Sequence, residues 1–255
     1  MVKFRTVMGE SEILGGAIAE RPREVSEHPL LAAIYDRHDA LIQRHAHPDG
    51  RSLELAFGRH SHPDADVGVE VFHQNSVDAT GVEATTADAR ALPFADDSFD
   101  TVIGRRFLHH VPEGERGRII AEARRVLAPG GRLILLEGTP GLYRRFAKHL
   151  AFRLGALGED TDEYGHLSVG EMQTLLDENG FDTVELRRLG SPLMPLSISK
   201  RSWSARAAPL YERTQFVRWW SLAVATPTPE PVAVSRVVPA EDGEERREPR
   251  KQRHV

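Results

Sequence analysis

Cysteine is absent from this 255-residue chain. Disulfides, thiolate metal centres and cysteine nucleophiles are therefore excluded. Lysine is scarce: only Lys3, Lys148, Lys200 and Lys251 occur, and the other basic residues are arginine, a bias of composition and not a sign of function. No apolar run reaches the ~18–20 residues that a bilayer-spanning helix needs, and the N-terminus shows no signal-peptide pattern. A cytoplasmic protein without a membrane span is the expectation. A strong charge excess is also missing. A net charge of −5, with no platform of interleaved basic and aromatic residues, gives no general attraction to nucleic acid.

What is present suits one α/β domain. Apolar content of 40% and charged content of 28% are ordinary for a globular chain long enough to bury a core. The ends differ from the middle. Residues 1–25 lack a clean period and read as a loose N-terminal segment. Residues 226–255 are proline-rich and then densely charged with both signs, a composition that buries too little apolar surface to offset its ordering entropy, so a disordered tail is expected. The α/β domain is placed between them, at 26–225.

Along that middle, His28–Arg44 carries Leu31, Ile34, Tyr35, Leu41 and Ile42 at helical spacing, with Pro29 in the first turn. Strands are expected over 51–57, Val67–Phe72, from Ala84 to Thr86 and over Phe99–Gly104. Glu113–Leu127 is an amphipathic helix with Ile119, Ile120, Ala123, Val126 and Leu127 on one face, while Glu115, Arg118, Glu122 and Arg125 face water. Pro129-Gly130-Gly131 ends it before an almost wholly apolar fifth strand, Arg132–Glu137. A basic helix over Leu142–Leu157 follows. Ser168 and Glu171 have capping-box spacing ahead of a helix that ends at Asn179-Gly180. Phe181–Leu189 reads as a sixth strand and Phe216–Ala223 as the last, with an irregular stretch holding Trp203 and Tyr211 between them. The Trp219-Trp220 pair suits a dimer face as well as a core, so monomer and homodimer both stay open.

Four phrases in this order, DARALPF (88–94), DDSFDTVI (96–103), FLHHV (107–111) and EARRVLAPGGRLILLE (122–137), resemble the second half of the cofactor domain of class I S-adenosylmethionine-dependent methyltransferases of the small-molecule type. The resemblance implies a Rossmann-like, doubly wound, mostly parallel seven-stranded sheet whose last strand runs antiparallel between its neighbours. It implies S-adenosyl-L-methionine as cofactor and a small-molecule acceptor. Asp88 would accept from the adenine amino group beside the Ala89 backbone; the alternative is a turn-forming aspartate. Glu70 would accept the ribose hydroxyls and Val71 would pack on the adenine; the alternative is an acid that merely ends a strand. Tyr35 matches the entry helix, and 141–166 would form a lid over the site.

The first motif departs from the family. Acid-x-Gly-x-Gly-x-Gly becomes Glu54-Leu55-Ala56-Phe57-Gly58-Arg59-His60, which keeps only Gly58. Alanine at the first position costs little if its φ is negative. The interval from Glu54 to Glu70 leaves no room for the usual helix. Arg105 and Arg106 stand where the family has small or polar residues, and a guanidinium there can clamp the methionine carboxylate or an acidic acceptor; a solvated surface pair is the plainer reading. His109 or His110 can serve as general base on the acceptor, or simply pack at a helix start.

The repeated phrases RHAHPD (44–49) and RHSHPD (59–64) invite a metal reading. They flank opposite ends of the first strand, roughly 17–25 Å apart at the usual rise per residue, so no metal site is assigned. A methyltransferase for a small, anionic acceptor is the leading reading. The alternative is a methyltransferase-like protein that has lost catalysis and acts as a binding or assembly partner. A nicotinamide-dependent oxidoreductase is disfavoured, because no glycine triplet opens a helix.

Overall fold

The computed structural model describes residues 28–58, 60–141, 165–190, 201–210 and 219–229. The loose N-terminal segment, the Leu142–Leu157 helix with its basic face, Tyr211 and the tail from residue 230 onward lie outside the described residues.

Helix α1 spans Pro29–His45 and buries Leu30, Ile34, His38, Leu41 and Ile42 on one stripe. Strands β1 (Ser52–Leu55) and β2 (Val67–Glu70) are buried at every position. A six-residue helix α2 (His73–Asp78) leads to β3 (Glu83–Thr86). Then come β4 (Phe99–Arg105), a 3-10 turn at Leu108–His110, helix α3 (Glu113–Val126) and β5 (Leu127–Gly138). Helix α4 (Val169–Glu178) carries the expected capping box between Ser168 and Glu171. Strand β6 (Phe181–Leu189), a 3-10 segment at Ser202–Leu210 and β7 (Trp220–Pro227) complete the described elements.

The strands form one sheet in the order β3-β2-β1-β4-β5-β7-β6. All pairs from β3 to β5 are parallel, and β7 runs antiparallel to both β5 and β6. The expected fold class is therefore the observed one. Strand order reverses between β1 and β4, where an open α/β sheet leaves a crevice at its carboxyl edge.

Two cores lie on the two faces of the sheet. One joins β1, β2, β4 and β5 to Ile119, Ile120 and Ala123 of α3 and to Met172 and Leu176 of α4. The other sets Leu30, Ile34, Leu41 and Ile42 of α1 against Ile103, Ile134, Leu136 and Leu222. Trp219 and Trp220 belong to this second core and are buried, so they do not form an exposed face.

Two boundaries differ from expectation. The last strand begins four residues later than Phe216, because its register is set by pairing Leu135 with Ala223 on one side and Leu186 with Ala223 on the other. Strand β5 begins at Leu127, not Arg132: Leu127 pairs with Phe99 and Arg132 with Thr101, so the Pro-Gly-Gly turn is a bulge within the strand, with Gly130 at φ +81°.

Candidate active site

Residues 56–58 and 60–66, between β1 and β2, carry no helix, as the short interval requires. The loop is pinned instead by Phe57, whose ring lies against Gly68; a Cβ on that glycine would come within 2.6 Å of the ring. Ala56 adopts φ +48° and Gly58 φ +66°. The first position thus keeps the left-handed conformation that glycine favours, although it carries a methyl group. The condition for alanine to sit there at little cost, a negative φ, is not met.

Glu54, near the end of β1, is buried, and both of its oxygens are engaged. One accepts from the His62 backbone N–H and the other from Arg105 Nε. Arg105 also donates to Asp39 of α1 at 2.7 Å and to the His60 carbonyl at 2.9 Å. Its fork is fully committed to fastening α1 and the 56–62 loop to the sheet. This corrects the expectation that Arg105 offers its guanidinium to a ligand. Of the two histidine phrases, His62 is buried with its Nε2 3.2 Å from the Asp39 carbonyl, while His45 sits 3.5 Å from Glu185 on β6.

Glu70 ends β2 and is also buried. Oε2 accepts from the Gly58 N–H at 2.8 Å and Oε1 from the Phe72 N–H at 3.0 Å. Burial pushes its carboxyl above the ordinary value, with neighbouring Glu54 adding to the rise and the amide bonds opposing it. The next residue, Val71, is 42% exposed and presents an open apolar surface at the sheet edge.

Asp88 stands two residues past β3. Arg90 grips it through Nε at 3.0 Å and Nη2 at 2.7 Å, and reaches Glu115 of α3 at 3.3 Å. Burial works to raise the Asp88 carboxyl, but the bonds from Arg90 outweigh it and hold it below its usual range. Ala89 packs half-buried on the first core. The polar side of α3, expected to face water, holds the loop that follows. Glu122 accepts from the Leu92 N–H at 2.7 Å, and Arg125 donates to the Phe94 and Leu92 carbonyls and to Asp96.

Beyond β4, Arg106 has φ +55° and its guanidinium lies 4.0 Å above the Tyr35 ring of α1. The 3-10 turn sets His109 3.0 Å from Glu137 through Nδ1. Glu137 is wholly buried near the end of β5, and its other oxygen accepts from the Phe107 and Leu108 N–H groups at 2.8 and 2.9 Å. Burial would raise this carboxyl, yet His109 and the two amides hold it below 4.5. It is therefore ionised at neutral pH and can only accept, so His109 Nδ1 carries the proton. The ring of His109 lies 4.0 Å from that of His110 and 4.8 Å from that of His166. Sequence reasoning missed Glu137, although a lone acid ending an apolar buried strand was its signal. Asp39, Arg90 and His166 left no such signal.

The carboxyl edge fits an adenosyl ligand on the chain's own terms. Gly58 has no atom within 4 Å of the position a Cβ would take, Val71 is open, and acids end β2 and follow β3. A surface concavity of about 860 Å³ lies at the opposite edge, where Ser52, Asp66 and Glu83 mark the amino ends of β1–β3. Ligands of such sheets bind at the carboxyl ends, so this cleft is not assigned to the site.

Residues 62–135 match the family model described as a methyltransferase domain. The chain is 36% identical over 130 residues to a ubiquinone/menaquinone biosynthesis C-methyltransferase of Paracoccus denitrificans, covering 44% of this chain and 50% of that protein. The Escherichia fergusonii protein of the same description is 30% identical over 131 residues, so the chain spans about half the length of the curated relatives it matches. Among solved structures, a methyltransferase from Methanosarcina mazei superposes with a TM-score of 0.52 at 22% identity, covering 74% of this chain and 98% of that one. A possible histamine N-methyltransferase from Thermotoga maritima gives 0.55 at 20%, covering 85% and 97%. Residues 62–135 are therefore similar to a methyltransferase domain, and the sheet shares the fold of solved methyltransferases.

Proposed function

We propose that the chain is an S-adenosylmethionine-dependent methyltransferase acting on a small organic acceptor. The observation that carries this reading is the β3-β2-β1-β4-β5-β7-β6 sheet with acids at the end of β2 and just after β3. Glu70 would accept the ribose hydroxyls through the lone pairs its two amide donors leave open. Val71 and Ala89 would flank the adenine, and Asp88 would accept from its amino group. The backbone of Ala56 and Gly58 would face the methionine end. When bound, the cofactor supplies an electrophilic methyl group on sulfonium sulfur.

The chain's part is to orient, to exclude water and to move a proton. Glu137 holds the His109 ring through Nδ1, and in a neutral ring so held the lone pair lies on Nε2, the form able to take a proton from an acceptor hydroxyl or acidic carbon. The Paracoccus denitrificans relative, described as a quinone-pathway C-methyltransferase, supports a small organic acceptor.

Calorimetric titration with S-adenosylmethionine and S-adenosylhomocysteine tests the reading. Micromolar binding is expected, weakened at least tenfold in Asp88→Ala that remains folded by circular dichroism. A folded wild type that takes up neither ligand would transfer the reading to a methyltransferase-like protein without catalysis.

A further inference from the structure

Arg105 and Arg106 are neighbours with opposite environments. Every arm of Arg105 meets an acceptor, and its charge is balanced by Glu54 and Asp39. Arg106 has no such balance. Among the described residues its buried Nη1 makes no hydrogen bond and no ion pair reaches this side chain. A desolvated donor left unmatched is costly, so a protein retains one where a partner arrives from outside.

Three further observations bear on this donor. Leu55 pairs with Gly104, so Arg106 lies beyond the carboxyl end of β4, alongside the loop in which Ala56 and His60 stand at glycine positions. Its backbone holds φ +55°, a conformation that long side chains rarely adopt and that the surrounding structure must enforce. The Tyr35 ring supports one face of the guanidinium at 4.0 Å, which fixes the plane of the fork.

We propose that Arg106, seated on Tyr35, is the anion receptor of the site and takes a carboxylate or phosphate-type oxyanion of a ligand in bidentate fashion. The inference rests on the methyltransferase reading and deepens it. Two ligands could bring that oxyanion: the cofactor, through its methionine carboxylate, or the acceptor, through an acidic group of its own. In the first case Arg106 replaces backbone contacts that the two missing glycines would have given.

The test is calorimetric and needs no turnover. Wild type, Arg106→Gln, Arg106→Lys and Arg106→Gly are titrated with S-adenosylhomocysteine and with 5′-methylthioadenosine, which lacks the amino-acid moiety. Benzoate and pyrophosphate are then titrated with and without saturating S-adenosylhomocysteine. If the cofactor brings the oxyanion, Arg106→Gln weakens S-adenosylhomocysteine at least tenfold and leaves 5′-methylthioadenosine unchanged. If the acceptor brings it, S-adenosylhomocysteine is unaffected and wild type binds benzoate or pyrophosphate with an affinity that Arg106→Gln abolishes. In either case Arg106→Lys lies between, keeping the charge without the fork. Arg106→Gly relieves the left-handed backbone, so it should fold at least as well as Arg106→Gln and lose the same binding. Equal affinities for every ligand in wild type and Arg106→Gln overturn the proposal, as does a wild type that binds no anion while its S-adenosylhomocysteine affinity ignores the change. A wild type that ignores S-adenosylhomocysteine overturns the methyltransferase reading instead, and the anion titrations without it still decide Arg106.

Discussion

Ala56 holds φ at +48° in the turn after β1, and a Cβ in the left-handed region costs about 1–2 kcal/mol in steric conflict. Glycine removes that conflict but loses more conformational freedom on folding, by about 0.5–1 kcal/mol. Ala56→Gly should therefore stabilise the protein by about 0.5–1 kcal/mol, a rise of a few degrees in the thermal midpoint at roughly 2–4 °C per kcal/mol for a chain of this size. Scanning calorimetry reads it directly, and an unchanged or lower midpoint would mean that the turn is not strained. The positions of single residues were legible along one strand: Glu70 ends β2 and Asp88 stands two residues past β3, as their phrases suggest. Arg105 was misread because its partner Glu54 lies 51 residues away and Asp39 lies 66 away. An ion pair made across the sheet leaves no local pattern, so two adjacent arginines look alike in sequence and differ entirely in the fold.

Elements were legible in proportion to how local their signals are. The α4 cap was read from Ser168 and Glu171 three residues apart, and both of its reciprocal bonds are present, at 3.2 and 2.6 Å. Strand β7 was displaced in the reading because its run is apolar at both ends and only its neighbours fix the register. The link between β1 and β2 was read as helix-free from its length alone. What replaces the helix was not legible, since it depends on a ring folding back onto a glycine of the next strand. That contact gives an element-scale prediction. A methyl group at Gly68 would lie 2.6 Å from Phe57 Cδ1 and 3.2 Å from Val82 Cγ2, so Gly68→Ala must displace the ring that pins the loop. Overpacking of this kind costs about 1–3 kcal/mol. The variant should show a lower urea midpoint together with weakened S-adenosylhomocysteine binding, because Gly58, whose N–H bonds Glu70, lies in the same loop. Lower stability with unchanged affinity would separate the loop from the ligand site.

At the scale of the whole molecule, the shifted groups predict how stability follows pH. His38 is fully buried and held well below 6.5, by desolvation first and by Arg106 and Arg105 next. As pH falls through 6.5, the unfolded chain takes up a proton there that the folded chain refuses, so stability declines from about that point. The carboxylates of Asp88, Glu122, Glu137 and Glu171 all lie below their ordinary values. Burial opposes the shift at Asp88 and Glu137, where Arg90 and His109 prevail, whereas bonds from Arg125 and Ser168 lead at Glu122 and Glu171. The stability they contribute is present above the ordinary carboxylate range and is lost as pH falls through their folded values. Glu70 acts in the opposite sense: its raised carboxyl favours folding as pH falls through its folded value, which blunts the carboxylate loss without reversing it. The acid limb should therefore have two parts, a decline that starts near pH 6.5 and a steeper one below about 4.5, where four groups act against one. His38→Phe keeps a ring beside Trp220, whose centroid lies 5.3 Å away, and removes the titrating group. Thermal midpoints measured from pH 8 to pH 4 should then stay level in the variant until the carboxylate range, while the wild type falls earlier. An upper decline that persists in His38→Phe would assign it to another histidine and would show that the charge beside Arg105 and Arg106 is not what excludes the proton.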